Sequence, residues 1–443
     1  MSGPDRAVPE AEAKLSGRQD GEEKSVNDGV NGTGPTVLLS RSTANQNARN
    51  ALQSLVEHEM LAEFWTTFTW NGNSRWNRLL PDSWRNQLAR RSISEAPRRQ
   101  VRSVPWREAV RLGARGTPLE ALLCSRERWF SVVGMGTNLD KRVASRLRKL
   151  RPDMAYAYDG AALETFREAR KLGITPVYEL TTSYWHWEHE LFAEEADLNP
   201  EFAGLLGGLS DSAQHLRRKD RELELAEYVI VPSLHVRETL RGAVAEEKIR
   251  VVGYGAPPVR GERQAARSMG GPLKVLFVGS LIQRKGISYV LEAVEKLGRH
   301  VELTMVGSRF RENAKVDAAC RRWRWFATMP HARVMELMQE SDVLVLPSLA
   351  EGRALVTLEA LSRGLPVIIT PNTGAGEVIQ DGREGYVVPI RRADLIADRL
   401  ETLRRDRDLL AEMSRQAQRT ASANSWEHYR GQWGQTVRSL ACN

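Results

Sequence analysis

Along most of the chain, short apolar segments alternate with longer segments in which apolar residues recur at helical spacing. This alternation constrains the fold more than any other feature of the sequence. Strands that alternate with helices form a parallel sheet with helices wound on both faces. The sequence therefore predicts an α/β, doubly wound fold. In the first half of the chain the predicted strands are 36–40, 154–158, 175–180, 228–231 and 249–253.

The alternation is interrupted once, by a polar segment with Gly and Pro at its end, and then restarts. The predicted strands of the second half are 274–278, 301–306, 343–346, 366–370 and 385–389. We therefore expect two Rossmann-like domains, at 35–258 and 273–420, joined by a linker at 259–272. The cleft between two such domains is a favoured ligand site.

Composition limits the other possibilities. Residues 1–34 contain four Lys/Arg, seven Asp/Glu and no aromatic residue, which predicts a disordered tail. Only three cysteines occur in 443 residues, at wide spacing, so neither a disulfide framework nor a zinc site is indicated. The sequence has no apolar run near the ~20 residues that a membrane helix needs and begins without the pattern of a secretory signal. We therefore expect a cytoplasmic protein.

The positive charge is concentrated in one segment. Residues 75–151 contain 19 Lys/Arg and six Asp/Glu, whereas the whole chain has a net charge of +8. Tryptophans are interleaved with these arginines, a composition that suits an anionic membrane surface or single-stranded nucleic acid. A solvated basic face beside core tryptophans is the alternative. Because no helix-turn-helix or RNA-binding sheet motif is present, we do not expect a nucleic-acid partner.

Three loops in the second half carry residues suited to ligand binding. The first follows a strand that ends at Gly279 and places Arg284 and Lys285 directly before a helix. Backbone N–H groups, the positive end of the helix dipole and two cations together can hold a diphosphate. The alternative is an exposed, solvated pair of cations.

The second loop carries Glu351 and, eight residues later, Glu359. On one helix this spacing is a little over two turns, so we expect both carboxylates to project to a similar side. Two carboxylates in this arrangement can hydrogen-bond hydroxyl groups at two parts of one sugar-containing ligand. The alternative is a charge at the helix N-terminus and an exposed Glu359.

The third loop is a turn of small residues after the predicted strand 366–370. Its few side-chain atoms allow a ligand to approach the backbone N–H groups closely. Together, and in this order, the three loops resemble the nucleotide-sugar-binding domain of family 4 glycosyltransferases, which have the GT-B fold. The resemblance covers about 272–390 and includes the family's E-x7-E motif at Glu351 and Glu359. It continues more weakly through 36–260.

The resemblance implies a role for each matching residue. Arg284 and Lys285 would neutralise the donor diphosphate, including the charge that grows on it as its bond to the sugar breaks. Glu359 would bind the nucleotide ribose and Glu351 the donor sugar. The other matching positions would contact the base, the sugar or the phosphates: Gly279, Gly307, His331, Thr373, Gly374, Ala375 and Gly376. Such enzymes retain the anomeric configuration and need neither a metal nor another cofactor. The family's terminal helix, which crosses back to the first domain, is expected at 426–440.

The acceptor side is expected at the strand ends of the N-terminal domain. There a polar turn replaces the family's glycine-rich turn, and its Asn45 and Asn47 are candidate acceptor contacts together with Asp159. His186 is a candidate to contact the donor sugar or to accept a proton; the alternative is a histidine packed between tryptophans. Arg353 stands where the family often has an aromatic residue, and would reach an acidic sugar or the phosphates, or lie on the surface.

The sequence thus predicts an enzyme that moves a sugar from a nucleotide-diphosphate sugar to a glycan or lipid-linked acceptor, with retention. Synthesis of a cell-surface polysaccharide or glycolipid at the inner face of the membrane would use the basic segment. The departures from the family leave a second hypothesis open: a catalytically silent relative that acts as a binding or scaffold subunit.

Overall fold

The computed structural model describes residues 34–70, 85, 88–89, 91–114, 131–207, 211–261 and 271–441. Several predictions from the sequence fall on other residues. The tail expected at 1–34, except for Gly34, lies outside the described residues. So do most of the 259–272 linker and much of the basic 75–151 segment.

The first sheet has seven parallel strands in the order β3-β2-β1-β4-β5-β6-β7. The two strands at its centre, Val37–Ser40 and Met154–Tyr158, are fully buried and, apart from Ser40, apolar or aromatic, as expected for a sheet covered by helices on both faces. The bounds are β1 Val37–Ser40, β2 Leu61–Thr66, β3 Val101–Ser103, β4 Met154–Tyr158, β5 Thr175–Glu179, β6 Tyr228–Val231 and β7 Ile249–Val251.

Two strands of this sheet were not predicted. β2 contains Glu63, which interrupts the apolar pattern of the strand. This carboxylate is buried because Arg146 and Arg102 pair with it, at 2.7 and 3.3 Å. β3 has only three residues and pairs with β2 at the edge of the sheet. Neither strand therefore shows the continuous apolar run by which buried strands are identified in a sequence.

The second sheet has six parallel strands in the order β10-β9-β8-β11-β12-β13. Two parallel, doubly wound sheets confirm the predicted GT-B architecture. The bounds are β8 Leu273–Val278, β9 Val301–Val306, β10 Arg324–Phe326, β11 Val343–Leu346, β12 Val367–Ile369 and β13 Gly385–Val387.

Helices connect the strands and cover both sheets. Those of the first half are α1 Gln46–Glu57, α2 Pro105–Ala114, α3 Val132–Leu150, α4 Leu163–Leu172, α5 Trp185–Leu198, α6 Ala213–Leu225 and α7 Leu234–Thr239. Those of the second half are α8 Ile287–Leu297, α9 Ala314–Arg322, α10 His331–Glu340, α11 Leu355–Ser362, α12 Ala393–Arg405, α13 Arg407–Ala423 and α14 Trp426–Leu440. None of the helices in the described ranges is both long and apolar enough to cross a membrane.

The last helix returns to the N-terminal domain. α14 packs against α1, and its fully buried Trp433 donates from Nε1 to the hydroxyl of Tyr156 on β4 at 3.2 Å. Just before the helix, Ser425 forms an isolated β-bridge with Ala256, at the end of the N-terminal domain. The C-terminal end of the described chain is thus part of the N-terminal domain.

Candidate active site

The loops after β8 and β9 are packed so closely that side chains are excluded from them. Gly307 has φ 155°, and a Cβ there would stand 1.8 Å from the carbonyl oxygen of Gly279. Gly286, with φ 72°, would place a Cβ 2.1 Å from the carbonyl oxygen of Pro347. These contacts fix the short helical turn Gln283–Lys285 against the loop that follows β11.

This packing brings the two predicted cations to Glu351. The Lys285 ammonium lies 2.6 Å from Oε1 of Glu351, and the Arg284 guanidinium lies 3.5 Å from Oε2. Arg284 also donates to the carbonyl of Ala350 at 2.9 Å. All three charged side chains are largely buried but open on one side, with 13% of the Glu351 side chain exposed. The three residues form the centre of the candidate active site, hereafter the 284/285/351 cluster.

The electrostatics keep Glu351 ionised. Burial raises the pKa of this carboxyl group, but the charges of Lys285 and Arg284 outweigh burial, and the net pKa lies below its usual value. An ionised carboxylate only accepts hydrogen bonds. Glu351 is therefore suited to bind hydroxyl groups and not to donate a proton.

The expectation that Glu351 and Glu359 share one helix face is wrong. Glu351 lies in the loop before α11, which begins at Leu355. The backbone around it is held extended, because the N–H of Glu351 donates to the carbonyl of Asn372 at 3.0 Å and that of Ala354 to Thr373 at 2.9 Å. Of the two carboxylates, only Glu359 lies in a helix, and its Oε1 is hydrogen-bonded to Nε2 of His331 at 2.8 Å. The two carboxylates therefore serve separate parts of the site.

The turn after β12 supports the loop that carries Glu351. Gly374 has φ 67°, and a Cβ there would stand 2.0 Å from the carbonyl oxygen of Gly352. Thr373 and Ala375 are buried. A Cβ at Gly376 would meet nothing within 4 Å. Of the four predicted residues of this turn, Gly376 therefore has the most open backbone.

The N-terminal domain meets the same loop from across the cleft. Ser183 donates from Oγ to the carbonyl of Glu351 at 3.3 Å, and Ser233 donates to the carbonyl of Gly352 at 2.6 Å. A Cβ at Gly352 would stand 1.8 Å from the carbonyl oxygen of Thr181, at the end of β5. The described structure is thus closed at this point, with no space between the two backbones.

Glu188 is a site residue that the sequence did not single out. It lies on α5, accepts a hydrogen bond from Thr182 at 3.2 Å, and interacts electrostatically with Arg284 and Glu351 across the cleft. Burial raises its pKa to about 7, although Arg284 and Thr182 act in the other direction. It is therefore a carboxyl group that changes protonation state near neutral pH beside the 284/285/351 cluster. The local pattern of α5 carries no signal for Glu188, because its environment is formed by residues of both domains.

His186 lies on another side of α5. Two residues apart on a helix, His186 and Glu188 point about 200° apart around the axis. The His186 ring stacks on Trp185, with 3.5 Å between ring centres, and its Nε2 lies 3.8 Å from Asp220. The structure thus places Glu188, and not His186, beside the 284/285/351 cluster.

The three acceptor candidates are separated. Asn45 caps α1, where its side chain accepts from the N–H of Ala48 at 3.3 Å. Asn47 is buried and donates to the hydroxyl of Tyr254 at 2.9 Å. Asp159 accepts from Thr181 Oγ1 at 3.2 Å and lines the cleft side of the domain. Of the three, Asp159 lies nearest to the loop that meets Gly352.

Arg353 lies at the contact between the two domains. Only 5% of its side chain is exposed, and it pairs with Glu377 at 3.2 Å and donates to the carbonyl of Pro232 at 3.1 Å. The residue is therefore a contact between the domains and leaves the 284/285/351 cluster intact. Arg353 and the polar first turn were the two departures from the family that left a catalytically silent relative open as a hypothesis. The location of Arg353 removes the first of them.

The raised pKa of Glu188 predicts a pH-dependent stability. In the folded state this group holds its proton up to about pH 7, whereas the unfolded value is 4.5, so the folded protein loses stability as pH rises between the two. We expect Glu188→Gln to be more stable than wild type at pH 8, by up to about 3 kcal/mol, and equally stable at pH 4.5. Thermal unfolding across this range measures the difference. Glu190→Gln, an exposed carboxyl on the same helix, is the control, and the same profile in both variants would refute the assignment.

Comparison with known proteins agrees with this geometry. Two parallel Rossmann-like domains facing a cleft define the GT-B class. Residues 260–420 match the family model of glycosyl transferases group 1. The 284/285/351 cluster and Glu359 all lie within the matched residues.

Curated relatives match over different lengths. The glycogen synthase of Mycobacterium tuberculosis is 30% identical over 146 residues, which are 31% of this chain and 35% of the relative. The putative colanic acid biosynthesis glycosyltransferase WcaL of Salmonella typhimurium is 28% identical over 37% of this chain and 44% of the relative. These matches thus span less than half the length of either relative. The alpha-D-kanosaminyltransferase of Streptomyces kanamyceticus is 24% identical over 74% of this chain and 88% of the relative.

Solved structures show the same fold across nearly the whole chain. The sucrose-phosphate synthase of Thermosynechococcus elongatus superposes with a TM-score of 0.64 at 18% identity, over 92% of this chain and 99% of that one. Anabaena HepE, solved in complex with UDP, superposes with a TM-score of 0.60 at 16% identity, over 91% of this chain and 100% of HepE. The likeness therefore includes both domains and their arrangement.

Proposed function

We propose that this protein is a family 4 glycosyltransferase that transfers a sugar from a nucleotide-diphosphate sugar, with retention of the anomeric configuration. The observation that carries the proposal is the 284/285/351 cluster. Two cations and one ionised carboxylate meet at the strand ends of a group 1 domain, facing a cleft. This is the arrangement that a departing diphosphate and a bound sugar require together.

Each residue of the cluster has a chemical task in the proposal. Lys285 and Arg284 bind the diphosphate and stabilise the negative charge that develops on it as the bond to the sugar breaks. Glu351 accepts hydrogen bonds from the sugar hydroxyls while its own charge is held by the two cations. When the donor is bound, the diphosphate shares these cations with Glu351. No metal enters this scheme, because side-chain cations supply the positive charge.

The nucleoside end of the donor is assigned to the loop and helix beyond the cluster. Glu359 accepts hydrogen bonds from the ribose, and His331, which bonds Glu359 at 2.8 Å, orients it. The hydrogen bond to Glu359 raises the pKa of His331. Gly279 and Gly307 follow neighbouring strands and carry no side chain, and we assign the base to this pair of strand ends.

The acceptor side belongs to the N-terminal domain. A glycan or lipid-linked acceptor enters the cleft past Asp159 and Glu188, and Glu188 is placed to exchange a proton near neutral pH. The basic 75–151 segment brings the protein to the anionic inner face of the membrane from the cytoplasm. Several of the similar proteins are named as polysaccharide-synthesising transferases, which agrees with an acceptor of this kind.

A thermal-shift screen tests the donor assignment. The ligands are UDP, GDP, ADP, CMP and their common sugar conjugates, with UDP first because HepE of the same fold was solved with it. A ligand at 100 times its dissociation constant should stabilise wild type by about 2.7 kcal/mol. We expect one nucleotide to do so and Glu359→Ala to lose most of the shift. Absence of any shift in wild type would contradict the proposal and favour a silent relative.

A further inference from the structure

Apart from the cleft, a cavity of about 580 Å³ lies in the N-terminal domain between α2, α3 and α6. Its volume is that of a small-molecule site and exceeds what a single ion needs. None of the described residues that line it is acidic. Its polar walls are formed mainly by cationic side chains and one histidine: Arg107, Lys141, His215, Arg217, Arg218 and Arg221.

The cavity is built around a fixed arginine. Only 12% of the Arg218 side chain is exposed, and it is held between Asp140 and Glu222, both fully buried. Both carboxylates also accept hydrogen bonds from backbone N–H groups. Asp140 accepts from two N–H groups at the start of α4, and Glu222 accepts from three N–H groups between residues 160 and 163. They therefore orient Arg218 without offering a carboxylate to the cavity.

The remaining cations leave the cavity positively charged. Arg221 pairs with the exposed Glu224, whereas no carboxylate among the described residues pairs with Lys141 or Arg217. The N-terminal turn of α3, at Val133 and Gly134, adds the positive end of a 19-residue helix to the wall. Such a surface is favourable for a doubly charged anion and unfavourable when left without one.

Residues beside this cavity lie next to those that line a small pocket at Glu188. The His215 ring lies 3.6 Å from where a Cβ would stand at Gly160, and Asp159 precedes that glycine. Asp159 also lines the small pocket, together with Thr182, Glu188 and Lys219. The cavity therefore lies on the side of the domain that carries Asp159 and Glu188.

We propose that the cavity binds a phosphoryl group carried by the acceptor, and that the acceptor of this protein is a phosphate ester whose hydroxyl-bearing end projects into the cleft. Arg218, whose Nε and Nη2 are engaged by Glu222 and Asp140, offers its remaining N–H groups in a fixed position, and Lys141 and Arg217 supply mobile charge. The space beyond the cations holds the group attached to the phosphate. This inference deepens the proposed function and rests on it for the identity of the bound molecule as acceptor.

A direct binding measurement tests the cavity. Glycerol 3-phosphate is titrated calorimetrically into full-length protein carrying Lys285→Ala, so that the donor loop contributes little anion binding. The pocket variant adds Lys141→Ala and Arg217→Ala, both exposed side chains. The matched control adds Lys149→Ala and Lys171→Ala, two exposed lysines that remove the same charge outside the cavity. We expect the dissociation constant to rise roughly tenfold or more in the pocket variant alone.

A parallel arm distinguishes a soluble from a lipid-borne phosphate. The same proteins are sedimented with phosphatidylcholine vesicles that do or do not contain phosphatidic acid. If the pocket variant binds glycerol 3-phosphate more weakly than the control variant does, the acceptor is a soluble phosphate ester. If the two variants differ only on vesicles that contain phosphatidic acid, the acceptor phosphate is carried by a lipid. The proposal would be overturned if the pocket and control variants bound each probe equally well, or if neither variant bound either probe. Because the donor loop is disabled in all these proteins, the outcome is independent of the nucleotide screen.

Discussion

Replacing Lys285 by alanine is expected to lower sugar transfer by about a hundred- to a thousandfold, the range measured when one group that stabilises developing charge is removed. The ammonium lies 2.6 Å from Glu351, and no other lysine takes its place in the 284/285/351 cluster. Glu351 keeps Arg284 as a partner, so the free energy of unfolding should change by only about 1 kcal/mol. Steady-state transfer rates and thermal unfolding measure the two effects.

Lys296→Ala is the control for this variant. Lys296 is exposed on α8, the helix that follows Lys285, and among the described residues its ion-pair partner is the exposed Glu292, at 2.9 Å. Both substitutions remove one positive charge from the same region of the C-terminal domain. Transfer that falls equally in both variants would indicate a general charge effect. Wild-type transfer in Lys285→Ala would refute the site.

Replacing Gly352 by alanine is expected to lower transfer by roughly a hundredfold or more while nucleotide binding is retained. The new Cβ would stand 1.8 Å from the carbonyl oxygen of Thr181, so the backbones of the two domains must move apart. A displacement of about 1 Å at the reacting groups costs roughly a hundredfold in rate. The residues assigned to the nucleoside, Glu359 and His331, lie within the C-terminal domain and need not move.

Gly431→Ala is the matched control, since a Cβ at this position of α14 meets nothing within 4 Å. We expect a large fall in kcat for Gly352→Ala with little change in the dissociation constant of the donor nucleotide, and a small effect of Gly431→Ala on both. If Gly352→Ala lost nucleotide binding and activity together, the loop would be part of the donor pocket itself. The contact with Thr181 would then not explain the loss.

Much of the architecture could be predicted because buried parallel strands are continuous apolar runs. Tyr228–Val231, Val301–Val306 and Val343–Leu346 have the predicted bounds. β2 could not be predicted in this way, since the buried Glu63 breaks its pattern and is tolerated only because arginines distant in sequence pair with it. A strand of this kind depends on tertiary contacts that a local pattern does not contain.

The candidate active site could likewise be predicted only in part. Order and spacing along the chain led to Arg284, Lys285 and Glu351, and the structure brings these three residues together. The helix assumed for Glu351 was wrong, because hydrogen bonds to the turn after β12 hold that backbone extended. Glu188 was missed for a related reason: its pKa is set by burial in a cleft formed by both domains.

The proposed role of the 284/285/351 cluster is to bind the diphosphate of a nucleotide sugar. Isothermal titration of wild type, Lys285→Ala and Lys296→Ala with the nucleoside diphosphate selected by the thermal-shift screen tests this role. We expect the dissociation constant to rise roughly tenfold or more in Lys285→Ala, the loss expected for one charge-assisted contact, and to stay at the wild-type value in Lys296→Ala. Equal affinity in wild type and Lys285→Ala would rule this role out.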